Sequence, residues 1–193
     1  MEVLRPTKGR WLGLLQGHHY YVHLSGGTSD TYFAHALAAP FLGDCAVLRL
    51  TFKDADSSNC AVLKVWAHHG HHGGADALTA LRRLRTKKAD WPDVRLFLQG
   101  HIPALGHVKT DSLDIPNKGT PNIFHADTTY ALTGGFSRSY QQGSHFAGRP
   151  QGGYAEKAMM APAVMGGQVI TLTPEKVHRG SIWHRQIDVK ASS

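Results

Sequence analysis

The feature that most restricts the fold of this chain is a set of short apolar runs, each about as long as one β-strand. Two of them, Cys45–Phe52 and Cys60–Ala67, flank the polar segment Asp54–Asn59. This pattern predicts a β-hairpin. A third run, Val94–Leu98, predicts another buried strand. Together with the helical segments described next, these runs predict the fold class α/β (α+β).

Two segments have the apolar spacing and the end signals of helices. The first covers residues 28–39, with Ser29 or Asp30 as its N-cap. The second covers residues 76–88, with Asp76 as its N-cap and cations in its last turns. One face of the second helix is expected to carry leucines at helical spacing, namely Leu78, Leu81 and Leu84.

The remaining segments have weaker patterns, and we expect one domain over residues 1–193. Short strands are predicted over residues 11–15, 130–135, 167–172 and 182–189. A short helix is predicted over residues 155–161, and loops over residues 109–122 and 137–153.

The charge and the cysteine content limit the partners and the compartment. The net charge is +7 and the pI about 9.6, which favours anionic partners such as phosphates or nucleic acid. No window reaches the ~20 apolar residues of a membrane span, so a cytoplasmic protein without a membrane partner is expected. Cys45 and Cys60 are expected to be buried, reduced thiols, although a disulfide between them stays open at this point.

The 14 histidines are the most unusual part of the composition. Three predicted strands are each followed by histidine: the first by His18 and His19, the second by His68 and His69, and the third by His101. Strand ends gather at one edge of an α/β sheet, and imidazole suits zinc, manganese and iron. The sequence therefore predicts a histidine-rich site for a divalent metal.

Other interpretations of these residues stay open. A single histidine after a strand is more often a surface residue than a ligand, and a histidine-rich tract binds adventitious metal. Gly73 and Gly74 precede the second helix. They could bind a substrate phosphate on their backbone N–H groups, or they could form the turn that leads into the helix.

The motifs around these histidines resemble a known family. Gly17-His18-His19, His68-His69-Gly70 and Gly100-His101 look like the last three motifs of calcineurin-like metallophosphoesterases, especially those of phage and prophage type. Two further segments, residues 131–136 and 154–160, are also similar to that group. The resemblance spans most of the chain, and the order and spacing of the motifs carry most of its weight.

The resemblance implies a sandwich of two sheets flanked by helices, which binds two metal ions and hydrolyses phosphate mono- or diesters. It implies that His18 binds metal, where the family usually has Asn, and that His19 assists the leaving group. It implies a metal-binding role for His68, with His69 as the competing assignment, and for His101 as the first histidine of a Gly-His-x-His motif.

The chain also departs from the family pattern. The Asp-x-His and Gly-Asp motifs of the family precede Gly17, but the sixteen residues there include no Asp or His, and Pro103 replaces the last histidine. Two divalent ions ~3.5–4 Å apart need anionic ligands, and neutral imidazoles supply none. We therefore expect a truncated domain with an incomplete site, although one ion on three histidines remains possible. Asp44 and Asp127 are candidate carboxylates that no motif singles out.

Three functions compete at this point. The first is a phosphoesterase, provided that the missing carboxylates are supplied. Its substrate would be a phosphate ester, with nucleotides and nucleic acid as candidates. The second is an inactive remnant that binds at most one metal. The third, a basic nucleic-acid-binding module, ranks last because no basic stripe has interleaved aromatic residues. Missing N-terminal strands would uncover a sheet edge, which predicts self-association.

Overall fold

The computed structural model describes every residue except 1, 19, 57, 72–75, 116–122, 137–139, 158, 160, 161, 163, 180, 181 and 193. The described chain is a mixed α/β structure built mostly of strands, which confirms the predicted fold class at that level. In chain order its elements are a 3₁₀ helix (Glu2–Thr7), α1 (Ser29–Ala36), β1 (Cys45–Lys53), β2 (Cys60–His68), α2 (Ala77–Asp90), β3 (Leu96–Gln99), β4 (Leu105–Thr110), β5 (Leu113–Asp114), β6 (Phe124–His125), β7 (Thr128–Thr133), β8 (His145–Phe146), β9 (Arg149–Pro150), α3 (Tyr154–Lys157), β10 (Val169–Arg179) and β11 (Ile182–Ser192).

A five-stranded mixed sheet in the order β1-β2-β3-β7-β4 forms the centre. The strands β2, β3 and β7 are parallel, with His68 opposite Gln99 and Gln99 opposite Leu132. Their carboxyl ends therefore lie together, at what we call the carboxyl edge; the opposite end of the sheet is the amino edge. The outer strands, β1 and β4, are antiparallel to their neighbours.

Helix α2 covers one face of this sheet. Leu81 and Leu84 are buried against a cluster that includes Phe97 and Tyr130, whose rings stack with centroids 5.1 Å apart. Asp76 caps the helix by accepting hydrogen bonds from the first-turn N–H groups, as predicted. The central strands are thus buried by a helix that starts near the carboxyl edge.

The hairpin of β10 and β11 covers the other face. Val189 of β11 belongs to a second buried cluster with Leu63, Val65 and Leu96 of the central sheet. Along β2, Val65 faces this hairpin and Trp66 faces α2, because successive side chains of a strand point to opposite faces. The fold therefore has three layers, namely hairpin, sheet and helix.

Several local predictions are confirmed and others are wrong. The hairpin of β1 and β2 is confirmed over its whole length. The strand predicted over residues 11–15 is wrong: an isolated bridge joins Leu14 to Phe41, and Leu12 is 64% exposed instead of packed in a sheet. Leu78 is 65% exposed and does not line the buried face of α2.

The bounds of α1 and the position of β4 also differ from the predictions. Thr28 is the N-cap of α1, through a capping box with Thr31, and the helix ends at Ala36. Residues 105–110 form β4 through pairing with β7, which no local pattern indicates. No helix in the described part of the chain combines the length and the apolarity needed to span a membrane.

The two cysteines are both free and both exposed. Cys45 pairs with His68 at one end of the hairpin, whereas Cys60 pairs with Lys53 at the other end. The hairpin geometry therefore excludes a disulfide between them, because a disulfide needs Cα atoms about 4.4–6.8 Å apart. The prediction that they are buried is wrong.

Candidate metal centre

Three histidines, His18, His69 and His101, meet at the carboxyl edge. One ring nitrogen of each lies within 4.8 Å of those of the other two. His69 directly follows β2, and His101 follows β3 after one intervening residue. Because β2 and β3 are parallel neighbours, their ends place both side chains at the same edge of the sheet.

His18 reaches the same edge from the N-terminal segment. The backbone N–H of Gln16 donates to the carbonyl of Gly43 at 2.8 Å. Gly43 lies just before β1, whose first residue, Cys45, is paired with His68. The segment that carries His18 is therefore anchored beside the end of β2, although it is not a strand.

The spacing of the rings fits one metal ion. His18 Nδ1 and His69 Nε2 are 3.0 Å apart. The centroid of the His101 ring lies 4.4 Å from that of His18 and 5.2 Å from that of His69. A tetrahedral zinc ion with Zn–N bonds of about 2.0–2.1 Å would hold two imidazole nitrogens about 3.3 Å apart. The His18–His69 separation is the length of a hydrogen bond between the two rings and is also close to that value, so small side-chain shifts would let the three imidazoles bind one ion.

The protonation of His69 also favours a ligand. Partial burial lowers the pKa of His69, and the nearby His18 and His68 lower it further, whereas Asp30 and Asp44 raise it. The net direction is downward from 6.5. At pH 7 the ring is therefore mostly neutral, which is the form that binds metal.

His68 lies outside this group of three. Its Nδ1 accepts a hydrogen bond from the backbone N–H of Gly70 at 2.7 Å, and its ring stacks on Trp66 with centroids 5.3 Å apart. Because β2 extends to His68, that side chain stays on the Trp66 face of the sheet. The structure thus brings together His69, the competing assignment, with His18 and His101.

A close crossing of two loops holds His69 and His101 next to each other. Gly70 has φ +98°, and a Cβ there would lie 2.9 Å from the carbonyl oxygen of Gly100, so only glycine fits. His101 has φ +66°, and the N–H of Ile102 donates to the Gly100 carbonyl at 2.8 Å across it. Such a γ-turn at a non-glycine residue is strained, and strain of this kind concentrates at functional sites.

Asp30 is a site residue that the sequence reasoning missed. It was considered only as a helix cap, but its Oδ2 accepts the backbone N–H of Gly17 at 2.8 Å. A Cβ on Gly17 would lie 3.4 Å from His69 Cε1 and 3.6 Å from Asp30 Oδ2, so the carboxylate and the imidazole flank the same glycine. No spacing rule connects Gly17 with Asp30, because the contact depends on how the intervening loop folds back.

Two of the other predicted residues have different surroundings. The carbonyl of Asp44 accepts the N–H of His69 at 2.9 Å. Asp127 lies at the amino edge, where it pairs with Lys109 at 2.6 Å. The predicted catalytic residue His19 and the predicted substrate-binding residues Gly73 and Gly74 lie outside the described residues, so their roles stay predictions.

No known protein family, curated protein or solved structure matches this chain. The function is therefore inferred from the site's own residues and geometry.

Proposed function

We propose that this chain is a metal-dependent phosphoesterase in which His18, His69 and His101 hold one divalent ion of zinc, manganese or iron. The observation that carries the proposal is the convergence of three imidazole nitrogens within 4.8 Å. The resemblance of the surrounding motifs to metallophosphoesterases supports it.

Three imidazole ligands suit a catalytic ion, because they leave coordination positions open for water or substrate. When bound there, the ion would supply the Lewis acidity that activates water and polarises a phosphoryl oxygen. His69 contributes as a neutral ligand because its pKa is lowered. The net charge of +7 favours the approach of an anionic ester.

One ion is proposed instead of two because of the charges. Among the described residues, the group of potential ligands contains three histidines and no carboxylate. Without an anionic bridge, two divalent ions would repel each other strongly. A partner chain could supply carboxylates, and then a second ion would become possible.

The proposal also covers location and partners. We place the protein in the cytoplasm, in keeping with two exposed free thiols, Cys45 and Cys60, which an oxidising compartment disfavours. The partner is a phosphate-ester substrate, not a membrane.

The test is metal titration combined with hydrolysis. Purified chain is stripped with a chelator and titrated by calorimetry with Zn²⁺, Mn²⁺ or Fe²⁺, and its hydrolysis of p-nitrophenyl phosphate and bis-p-nitrophenyl phosphate is followed. We expect one ion per chain and hydrolysis only with metal. His101→Gln should abolish both metal binding and hydrolysis. His125 lies on β6, outside the triad, so His125→Gln should change neither metal binding nor hydrolysis.

A second candidate function is a metal-binding remnant without activity. The absence of a carboxylate from the triad among the described residues favours it. One bound ion with no hydrolysis of either ester would support the remnant, and failure to bind any of the three metals would contradict both candidates.

A further inference from the structure

Residues 20–32, which we call the aromatic arm, form a hairpin-like loop that leads into α1. The N–H of Ser29 donates to the carbonyl of Tyr21 at 2.8 Å, and the N–H of Tyr21 donates to Ser29 Oγ at 3.2 Å. Nearer the tip, the N–H of His23 donates to the carbonyl of Gly27 at 3.1 Å. The two sides of the arm are therefore held together along their length.

The base of the arm lies at the metal centre. Asp30, near the end of the arm, accepts the N–H of Gly17 at 2.8 Å, and Gly17 directly precedes His18. Tyr21 follows His18 by three residues, so their Cα atoms are at most about 11 Å apart. A nucleotide is long enough to bridge that distance.

The arm presents a row of three aromatic rings, Tyr21, His23 and Tyr32. The centroid of His23 lies 5.1 Å from that of Tyr21 and 4.6 Å from that of Tyr32. Tyr21 is 66% exposed and Tyr32 is 48% exposed. Aromatic rings that are exposed together next to a candidate metal site are suited to bind a ligand.

The ring of Tyr32 is fixed in place before any ligand binds. Its hydroxyl is 2.9 Å from Ser25 Oγ at the tip of the arm. Gly27 has φ +81°, and a Cβ there would lie 3.4 Å from Tyr32 Cε2, so the ring packs directly on the backbone of the arm. A ring that is already ordered loses little conformational entropy when a ligand stacks on it.

We propose that the aromatic arm binds the base of a nucleotide whose phosphate lies at the histidine triad. This inference rests on the proposed function and names its substrate class. Bases stack on exposed aromatic rings. Residues 20–32 contain no Lys or Arg, so the arm cannot follow a nucleic-acid backbone by charge. We therefore commit to a mononucleotide as the ligand instead of a long strand.

The test separates the base from the phosphate. Protein is titrated in the presence of Zn²⁺ with adenosine 5′-monophosphate and with ribose 5-phosphate, and binding is followed by NMR before either ligand is hydrolysed. We expect the nucleotide to bind at least about fivefold more tightly, which is the lower end of the effect of stacking one base. The double variant Tyr21→Ala/Tyr32→Ala should lose this preference.

Two matched variants keep the result interpretable. Tyr21→Phe/Tyr32→Phe retains both rings and should keep the preference. Trp91→Ala removes an exposed ring at the far end of α2, near the amino edge, and should also keep it. Circular dichroism checks the folding of each variant.

The outcomes are independent of the proposed hydrolysis. Equal affinity for the two phosphates, or binding of neither, would overturn the aromatic arm as a base site. A preference that survives loss of both tyrosine rings would do the same. A nucleotide preference without metal-dependent hydrolysis would keep the arm and reject the phosphoesterase.

Discussion

Polar side chains are arranged differently at the two ends of the central sheet. At the amino edge, opposite charges pair: Lys109 lies 2.6 Å from Asp127 and 3.0 Å from Asp188. At the carboxyl edge, like groups converge: His18 Nδ1 and His69 Nε2 are hydrogen-bonded at 3.0 Å. A structural role is enough to account for the ion pairs at the amino edge.

Packing alone does not account for the way the histidines are arranged at the carboxyl edge. Burial lowers the pKa of His69, and the neighbouring His18 and His68 lower it further. The backbone there contains a strained turn at His101. A bound cation would favour such an arrangement, because three imidazole nitrogens can share one ion. The difference between the edges teaches that the convergence of like donors at one place is a better sign of a site than the number of histidines.

The largest expected effect tests which histidine belongs to the carboxyl-edge site. His69→Gln should lower zinc affinity at least about 100-fold, because it removes a ligand, whereas loss of a supporting residue costs about 10–100-fold. His68→Gln should cost less, since His68 accepts the N–H of Gly70 and stacks on Trp66 and lies outside the triad. Calorimetry on both variants decides the point, and an equal or larger loss for His68→Gln would show that His68 is the ligand.

The next effect concerns the loop crossing behind the site. Gly70→Ala should lower the free energy of unfolding by about 2 kcal/mol or more, because the new methyl group meets the Gly100 carbonyl in a disfavoured conformation. Gly148→Ala is the control, with φ +75° but open space around its Cβ position, and should cost about 1 kcal/mol. Urea unfolding measures both, and equal losses would mean that the crossing is not tight.

A smaller effect tests whether Asp30 supports the triad. Asp30→Ala removes both the charge and the acceptor for Gly17, and should lower zinc affinity about 10-fold. Asp30→Asn keeps an oxygen acceptor and should lose less. Asp90→Asn makes the same charge change at the end of α2 and should leave affinity unchanged. If Asp30→Ala also leaves affinity unchanged, Asp30 has no part in the site.

The smallest expected effect is a difference between the two edges in metal-free protein. The free energy of unfolding should depend on pH in a different range for each edge. The pKa of His69 is lowered from 6.5, mainly by burial, so the unfolded chain takes up the proton first and stability begins to fall as the pH drops below 6.5. The pKa of Asp188 is lowered from 3.8, mainly by its hydrogen bond with Lys109, so its contribution is present above pH 3.8 and is lost below it.

Unfolding measured from pH 8 to pH 3 checks this separation. His69→Gln should reduce the loss of stability just below pH 6.5 and leave the loss below pH 3.8 unchanged. Asp188→Asn should reduce only the loss below pH 3.8. A wild-type profile that is unchanged between pH 7 and pH 5 would contradict the pKa direction given for His69.

Local patterns predicted some parts of the fold well and others poorly. The hairpin of β1 and β2 was predicted because both strands and their polar turn are contiguous in sequence. The Asp76 cap was predicted because its partners are two and three residues away. By contrast, β4 exists because it pairs with β7, about twenty residues later in the chain, and pairing over that separation leaves little local signal.

The sequence by itself determined that histidines follow β2 and β3, because strand-length apolar runs end there. Only the tertiary structure decided that His69 and not His68 joins the triad, that a non-strand segment delivers His18, and that Asp30 folds back on Gly17. The physical reason is that side-chain period and capping act over a few residues. The meeting of loop ends depends instead on strand pairing and backbone hydrogen bonds between residues far apart in the chain.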